Sequence, residues 1–237
     1  MTMNKTLLLL PVLLFGTASC SQMDCVQGTG QVDQRELMVP PITGVITEGS
    51  IDVDLMHGDA QKVIAEGPSA ILDIIETKVK NGVWTVRTSQ CFNSSKRVVV
   101  HVTIPELGSV GVEGSGNIRS TDTFNGKDLD VHIAGSGDIS LPVNYQKIKA
   151  SIAGSGSITL SGTTNTFDVN VAGSGDVHAA ELSSADAEVD VAGSGDVDLT
   201  AVQSLDVEVA GSGSVRYRGQ PKLSTSIEGS GKVVPME

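Results

Sequence analysis

The tripeptide Gly-Ser-Gly recurs along the second half of the chain at nearly constant spacing. Its copies begin at Gly114, Gly135, Gly154, Gly173, Gly193, Gly211 and Gly229. A period of about 20 residues is typical of proteins in which each repeat is one structural unit stacked on the next. This repeat constrains the fold most strongly, because such a chain buries its core between neighbouring repeats.

Aligning the copies on their first glycine reveals columns of β-branched aliphatic residues. Two positions before that glycine stand Val112, Ile133, Ile152, Val171, Val191, Val209 and Ile227. Two positions after the second glycine stand Ile118, Ile139, Ile158, Val177, Val197, Val215 and Val233. The positions that alternate with these columns are mostly polar, as in a strand with one buried face. We therefore expect these columns to point inward.

These patterns predict an all-β fold, a parallel β-helix (β-solenoid) with coils of about 20 residues and Gly-Ser-Gly corners. Stacked coils place equivalent positions about 4.8 Å apart, so each aliphatic column becomes a continuous ladder. Glycine at a corner permits a positive φ and lets neighbouring backbones approach closely.

Two other repeat families fit this sequence less well. A leucine-rich repeat needs a leucine and asparagine framework that is absent here, and the calcium-binding nonapeptide roll has about half this period.

The N-terminus has the features of a bacterial export signal. Lys5 precedes the apolar run Leu7 to Phe15, and small residues then lead to Cys20. The run is too short to span a hydrocarbon core of roughly 30 Å, which argues against a membrane anchor. We interpret residues 1–19 as a signal peptide and residues 20–34 as a tether.

The small residues before Cys20 resemble the lipobox of bacterial lipoproteins, in which the cysteine carries the lipid. Thr17 stands where a leucine is usual, so simple secretion remains the alternative. Ser21 is not the aspartate that retains some lipoproteins at the inner membrane. We therefore expect a lipid anchor on Cys20 and an outer-membrane location, facing either the periplasm or the surface.

Two cysteines then remain, Cys25 and Cys91. An even number of cysteines in an oxidising compartment predicts one disulfide, which would hold the N-terminal arm against the body. Two free buried thiols are the alternative.

Residues 35–106 lack the motif but are rich in strand signals, and we interpret them as the capping part of the repetitive helix over 107–237. Asn81-Gly82 predicts a type I′ hairpin that sets Val79 opposite Trp84. Ser69 to Glu76 predicts one or two helical turns capped by Ser69.

The formal net charge of −12 makes nucleic acid an unsuitable partner. Only Arg216, Arg218 and Lys222 form a small basic group, near the C-terminus, and no basic stripe is present.

Three features together resemble the putative auto-transporter adhesin head GIN domain family. They are Arg35 to Leu37 with Gly49 to Leu55, the serial Gly-Ser-Gly-Asp-Ile/Val units, and Tyr217 to Lys222 before the last corner. The resemblance covers nearly the whole mature chain. It implies a right-handed parallel β-helix in bacterial envelope proteins, many of them lipoproteins, and it brings no catalytic residues.

One group of acidic residues recurs on successive repeats. Five positions before the first glycine stand Asp168, Glu188 and Asp206, and three positions before it stand Asp190 and Glu208. Like charges about 5 Å apart repel by roughly 0.8 kcal/mol per pair even in water. Either the acidic face is solvated and prevents association of a repetitive β surface, or neighbouring carboxylates bind a divalent cation such as calcium. No other cofactor is expected.

The remaining polar residues give weaker signals. Asp138, Asp176 and Asp196 follow their corners as a second, sparser acidic ladder. His57, His101, His132 and His178 lack metal-like spacing and are interpreted as surface residues. The corner serines are many and equivalent, whereas a catalytic serine is single.

The sequence therefore predicts a non-enzymatic envelope lipoprotein that presents a β-helical surface for binding, adhesion or assembly. Its partner would be an unidentified envelope protein or glycan, and a homo-oligomer is left open. The alternative is a carbohydrate-active β-helix enzyme that acts on a polysaccharide, which would need one cleft with convergent acids.

Overall fold

The structure is a computed structural model that describes residues 24–236. The predicted signal peptide of residues 1–19 and the predicted lipidation site Cys20 lie outside the described residues. The one helix of the described part is α1, Ser69–Leu72. The strands are β1 Val26–Gly28, β2 Val32–Glu36, β3 Gly44–Gly49, β4 Asp52–His57, β5 Lys62–Pro68, β6 Val79–Lys80, β7 Val83–Val86, β8 Phe92–Ser94, β9 Val99–Ile104, β10 Ser109–Gly114, β11 Ile118–Ser120, β12 Phe124–Gly135, β13 Asp138–Gly154, β14 Ser157–Gly173, β15 Asp176–Gly193, β16 Val197–Gly211, β17 Ser214–Arg218, β18 Lys222–Gly229 and β19 Lys232–Pro235.

Strands β10 to β19 wind into a parallel β-helix, as the repeat predicts. Each coil pairs with the next in parallel, so that Val171 lies beside Val191 and Val191 beside Val209. Bonded positions on adjacent coils are 18 to 21 residues apart in sequence. Apart from the β1–β8 pair, all described strands belong to one continuous sheet.

The inward columns form the core of this helix. In both aliphatic columns the side chains from β10 to β16 are buried, because alternate residues of a strand point to opposite faces. Asp190 and most of the other residues that alternate with the inward positions of the strands reach solvent to varying degrees. The predicted assignment of inside and outside is therefore confirmed through these coils, but Ile227 in β18 is exposed.

The Gly-Ser-Gly corners allow the coils to stack at backbone contact distance. Gly154 has a φ of 139°, which L side chains rarely adopt. A Cβ atom on Gly156 would lie within 3.0 Å of the Gly137 carbonyl oxygen on the preceding coil. Ser155 donates its backbone N–H to the Gly135 carbonyl oxygen at 2.9 Å. Both glycines are thus needed, the first for its conformation and its space, the second for its space.

The β-helix begins before the first Gly-Ser-Gly. Strands β3 and β4 form a coil that lies in register beside β10 and β11, with Gly49 opposite Gly114. On their other side, β3 pairs with β7 and β4 pairs with β9, also in parallel. The residues between β4 and β10 therefore form the N-terminal end of the β-helix, and the regular coils continue from β10.

Antiparallel strands complete that end. Strand β5 pairs with both β9 and β2 in antiparallel fashion. The predicted hairpin is confirmed, since Val79 pairs with Trp84 and both Asn81 and Gly82 have positive φ. Trp84 is fully buried, and its indole N–H donates to the Glu76 carbonyl oxygen at 2.9 Å.

The predicted helical turn exists, but its predicted cap is wrong. The helix begins at Ser69 with Pro68 in the capping position, and no side chain caps it. The Ser69 hydroxyl instead donates to the Asp33 carboxylate. Ser69 cannot cap a helix of which it is the first residue, because a capping side chain comes from the residue before it.

The predicted disulfide is confirmed. Cys25 and Cys91 are bonded, and the adjoining strands β1 and β8 pair in parallel. This two-stranded sheet holds the N-terminal arm near α1, where Gly28 faces Ile71.

Candidate binding face

The outward residues that precede the corners line an open groove along the β-helix. Its volume is 840 Å³. A column of exposed alanines, one per coil, lies immediately before the corner glycines, and we call this depression the alanine groove. The alanines are Ala134, Ala153, Ala172, Ala192 and Ala210.

Polar side chains flank the alanine column on the next outward position. They are His132, Ser151, Asn170, Asp190, Glu208 and Ser226. They stack at the spacing of adjacent coils, about 4.8 Å, because the register carries each coil directly onto the next. The groove therefore presents methyl groups along its floor and hydrogen-bonding groups along one side.

The two ends of the groove differ in charge. At the β12 end, the His132 Nδ1 and Asp130 Oδ1 atoms lie 3.2 Å apart, and this hydrogen bond holds the pKa of the Asp130 carboxyl below its usual range. At the other end, Asp190, Glu208 and Glu228 line the groove. The groove is therefore acidic over its C-terminal part.

The predicted acidic ladder does stack in register. Asp168 lies beside Glu188, Glu188 beside Asp206, and Asp190 beside Glu208. Four of these carboxylates, all except that of Asp168, line a small polar depression. The Asp168 carboxylate instead forms an ion pair with the Lys147 ammonium, at 2.7 Å between Oδ2 and Nζ. The hydrogen bond within this ion pair raises the pKa of the Lys147 ammonium.

The stacked carboxylates are not gathered into a cluster of metal ligands. Among residues 24–236, no three His, Cys, Asp or Glu side chains group closely enough to hold a metal ion. The stacked carboxylates remain solvated or paired, and no cofactor is indicated.

The second acidic ladder has a structural role that its sequence pattern does not reveal. Asp138 accepts the backbone N–H of Ser157 at 3.0 Å on the following coil. Asp176 accepts the N–H of Asp196 at 2.9 Å, and Asp196 accepts that of Ser214 at 2.9 Å. These side chains satisfy the backbone just after each corner, where the ladder of strand hydrogen bonds is interrupted. In the same way, the Asn117 side-chain oxygen accepts the backbone N–H of Asp138 at 3.1 Å.

Two of the histidines lie beside aspartates on neighbouring coils. Asp198 pairs with Arg216 at 2.6 Å and lies 3.8 Å from His178. Asp54 pairs with Arg119 at 2.7 Å and lies 3.4 Å from His101. Each aspartate thus lies close to basic groups, an arrangement suited to holding adjacent coils together.

One tyrosine is held inside the first coils. Tyr145 is buried, and its hydroxyl donates to the Leu107 carbonyl oxygen at 2.5 Å. Burial, together with the charge of Glu106, raises the pKa of Tyr145 to about 12. A neutral hydroxyl with a backbone partner is a packing element rather than an acid or base at neutral pH.

The family profile described as putative auto-transporter adhesin, head GIN domain, matches residues 41–221. The chain belongs to this family. The resemblance noted in the sequence is thereby confirmed, and membership of this adhesin family fits an envelope or surface location. No protein of curated function matches the chain.

Solved structures share the fold of this adhesin-family chain. A putative adhesin from Bacteroides fragilis matches with a TM-score of 0.84 and 22% identity, over 89% of this chain and 100% of the other. A putative lipid binding protein from Parabacteroides distasonis matches with a TM-score of 0.74 and 24% identity, over 90% and 99%. A putative adhesin from Parabacteroides merdae matches with a TM-score of 0.73 and 18% identity, over 90% and 100%.

Two observations bear on the class of protein. Adhesin names among the family and its solved relatives fit a chain that is not an enzyme. Within residues 24–236, no helix has the length and apolar character needed to cross a bilayer.

Proposed function

We propose that this adhesin-family chain is a non-enzymatic lipoprotein of the cell envelope that binds an extended, uncharged glycan along the alanine groove. The observation that carries the proposal is the repetition of one methyl group and one polar side chain on successive coils. A polymer of similar units is matched by a surface of similar units, whereas a small ligand needs one unique pocket.

The chemistry of the groove favours a sugar polymer. Sugar rings have apolar faces, which suit the alanine methyl groups, and hydroxyl edges, which suit Asn170, Asp190 and Glu208. The excess of acidic side chains in the groove disfavours an anionic polymer, because like charges repel. The groove is open and regular, which supports binding and presentation rather than catalysis.

The test is binding of neutral polysaccharides to the full chain, measured by calorimetry. Ala172→Arg places a long side chain on the groove floor and should weaken binding at least about tenfold. Ser174→Arg adds the same charge at an exposed corner outside the groove and should leave affinity unchanged. Equal binding by both variants, or release of new reducing ends from the glycan, would contradict the proposal.

The lipid anchor is tested separately. Cys20→Ser should abolish labelling by a fatty-acid analogue and move the protein from the membrane to a soluble fraction. Unchanged membrane partitioning would contradict the lipoprotein assignment, and it would not bear on glycan binding along the alanine groove.

A further inference from the structure

Within residues 24–236, nothing covers the C-terminal end of the β-helix. All eight residues of β18 are exposed, although the strand continues the inward columns of β16. Leu223 and Ile227 are each 43% exposed, whereas Leu205 and Val209 beneath them are 1% and 2% exposed. Among residues 24–236, the one strand paired in register with β18 is β16, so the outer edge of β18 has no partner strand.

The unpaired backbone groups of β18 belong to alternate residues. At the position of β12 equivalent to Ser224, Asp130 donates its N–H to Gly108 on the preceding coil at 3.1 Å. In a parallel strand both backbone groups of one residue face the same neighbour, and successive residues alternate between neighbours. Ser224, Ser226 and Glu228 therefore bond back to β16. Leu223, Thr225 and Ile227 direct their N–H and C=O groups to the open edge.

The sequence of this edge is complementary to its own reverse. From Lys222 to Glu228 it reads Lys-Leu-Ser-Thr-Ser-Ile-Glu. If two copies run antiparallel with Thr225 opposite Thr225, leucine faces isoleucine, serine faces serine, and Lys222 faces Glu228. Neither Lys222 nor Glu228 has an ion-pair partner in the part of the chain that the structure describes.

We propose that two copies of this chain join end to end through antiparallel pairing of β18 with β18, about a two-fold axis at Thr225. This register makes the Thr225 pair and the two Leu223–Ile227 pairs the hydrogen-bonded positions, as their free backbone groups require. The inward side chains of both copies fall on one face, so each copy covers the open core of the other. The two N-terminal arms then lie at opposite ends of a rod of double length.

Strand β19, which follows β18 at the same end of the β-helix, is not suited to pairing with a second copy. Lys232 and Met236 donate their N–H groups back to the preceding coil, at 3.2 and 2.7 Å. By alternation Pro235 faces the open edge, where it has no N–H to offer, and proline is a common means of blocking edge pairing. The other end of the β-helix carries the antiparallel strands β2, β5 and β6.

Charge exchange tests the register. In sedimentation experiments on the full chain in detergent, Glu228→Lys should weaken the dimer at least about tenfold, because lysines then face each other at both ends of the paired strands. The double variant Lys222→Glu with Glu228→Lys should restore association to the wild-type level. Glu113 occupies the equivalent position in β10, immediately before its corner glycine. Glu113→Lys should therefore leave the association of the two copies unaltered.

Cross-linking tests the geometry in the membrane. Ser224 of one copy lies opposite Ser226 of the other, at about 4.5 Å between Cα atoms, whereas identical serines are further apart than a disulfide allows. Full-length Ser224→Cys and Ser226→Cys chains with different tags should form a mixed disulfide dimer when expressed together, and neither should do so alone. A monomeric wild type, failed rescue by the double variant, or equal cross-linking of the single variants alone would overturn the proposal.

Discussion

At the scale of single residues, the aspartates that follow the corners show how one position can be acidic for a structural reason. A carboxylate there accepts the backbone N–H of the next coil, so it repairs a gap in the ladder of strand hydrogen bonds. The acidic residues before the corners have no such constraint and face the solvent or the groove. The same residue type therefore serves stability on one side of the corner and surface charge on the other.

Asp176 offers a direct test of this role. Asp176→Ala should lower the free energy of unfolding by about 1–3 kcal/mol, because the Asp196 N–H loses a charged acceptor. Asp176→Asn keeps an acceptor oxygen, as Asn117 does naturally, and should recover most of that loss. Urea denaturation measures both variants. Equal unfolding midpoints for the alanine variant and the wild type would show that the hydrogen bond contributes nothing.

At the scale of elements, the Gly-Ser-Gly corner is the unit that sets the distance between coils. Its first glycine adopts a positive φ, and its second glycine lies against the carbonyl oxygen of the corner beneath it. The serine between them points to solvent. Stacking therefore requires both glycines, while the serine is a polar residue on an exposed turn.

Substitution within one corner separates these roles. Gly156→Ala should destabilise the protein by about 1–3 kcal/mol, because its Cβ would overlap the Gly137 carbonyl oxygen and push two coils apart. Ser155→Ala, one residue away, should change the free energy of unfolding by less than about 0.5 kcal/mol. Thermal and urea unfolding check both variants. A Gly156→Ala protein as stable as the wild type would show that the coils can separate without cost.

At the scale of the whole molecule, the two ends of the β-helix differ in how far their apolar side chains are covered. The N-terminal end is completed by antiparallel strands, a hairpin and α1, and the disulfide joins the arm to this structure. Among residues 24–236, the C-terminal end exposes its last aliphatic side chains and one unpaired edge of β18. A rod with one covered end and one open end is suited to joining another copy through the open end.

The disulfide provides the test at this scale. It closes a loop of 66 residues between the arm and β8, so its loss should reduce the free energy of unfolding by up to about 4 kcal/mol. The double variant Cys25→Ser with Cys91→Ser should also show faster amide hydrogen exchange in β1, while exchange in β14 stays slow. Unchanged exchange in β1 would mean that strand pairing alone holds the arm.

Much of the fold follows from sequence periodicity. The corner spacing and the two aliphatic columns predict the coil length, the inward positions and the parallel stacking, because a repeat that cannot bury its apolar face alone must stack on its neighbours. The hairpin at Asn81-Gly82 is predictable for a local reason, since its turn needs positive φ at both central residues. The disulfide follows from cysteine parity and compartment.

Tertiary structure decided what depends on contacts distant in sequence. The coil of β3 and β4 lacks the full motif, with Ile51 in place of the second glycine, so only its register against β10 and β11 reveals it. The hydrogen bonds of Asp138, Asp176 and Asp196 need the backbone of the following coil, which no local pattern specifies. The exposure of Leu223 and Ile227 likewise depends on the absence of a covering coil among the described residues, because identical columns are buried wherever another coil lies on them. Sequence determined which side chains point inward, and stacking in three dimensions decided which of them are covered.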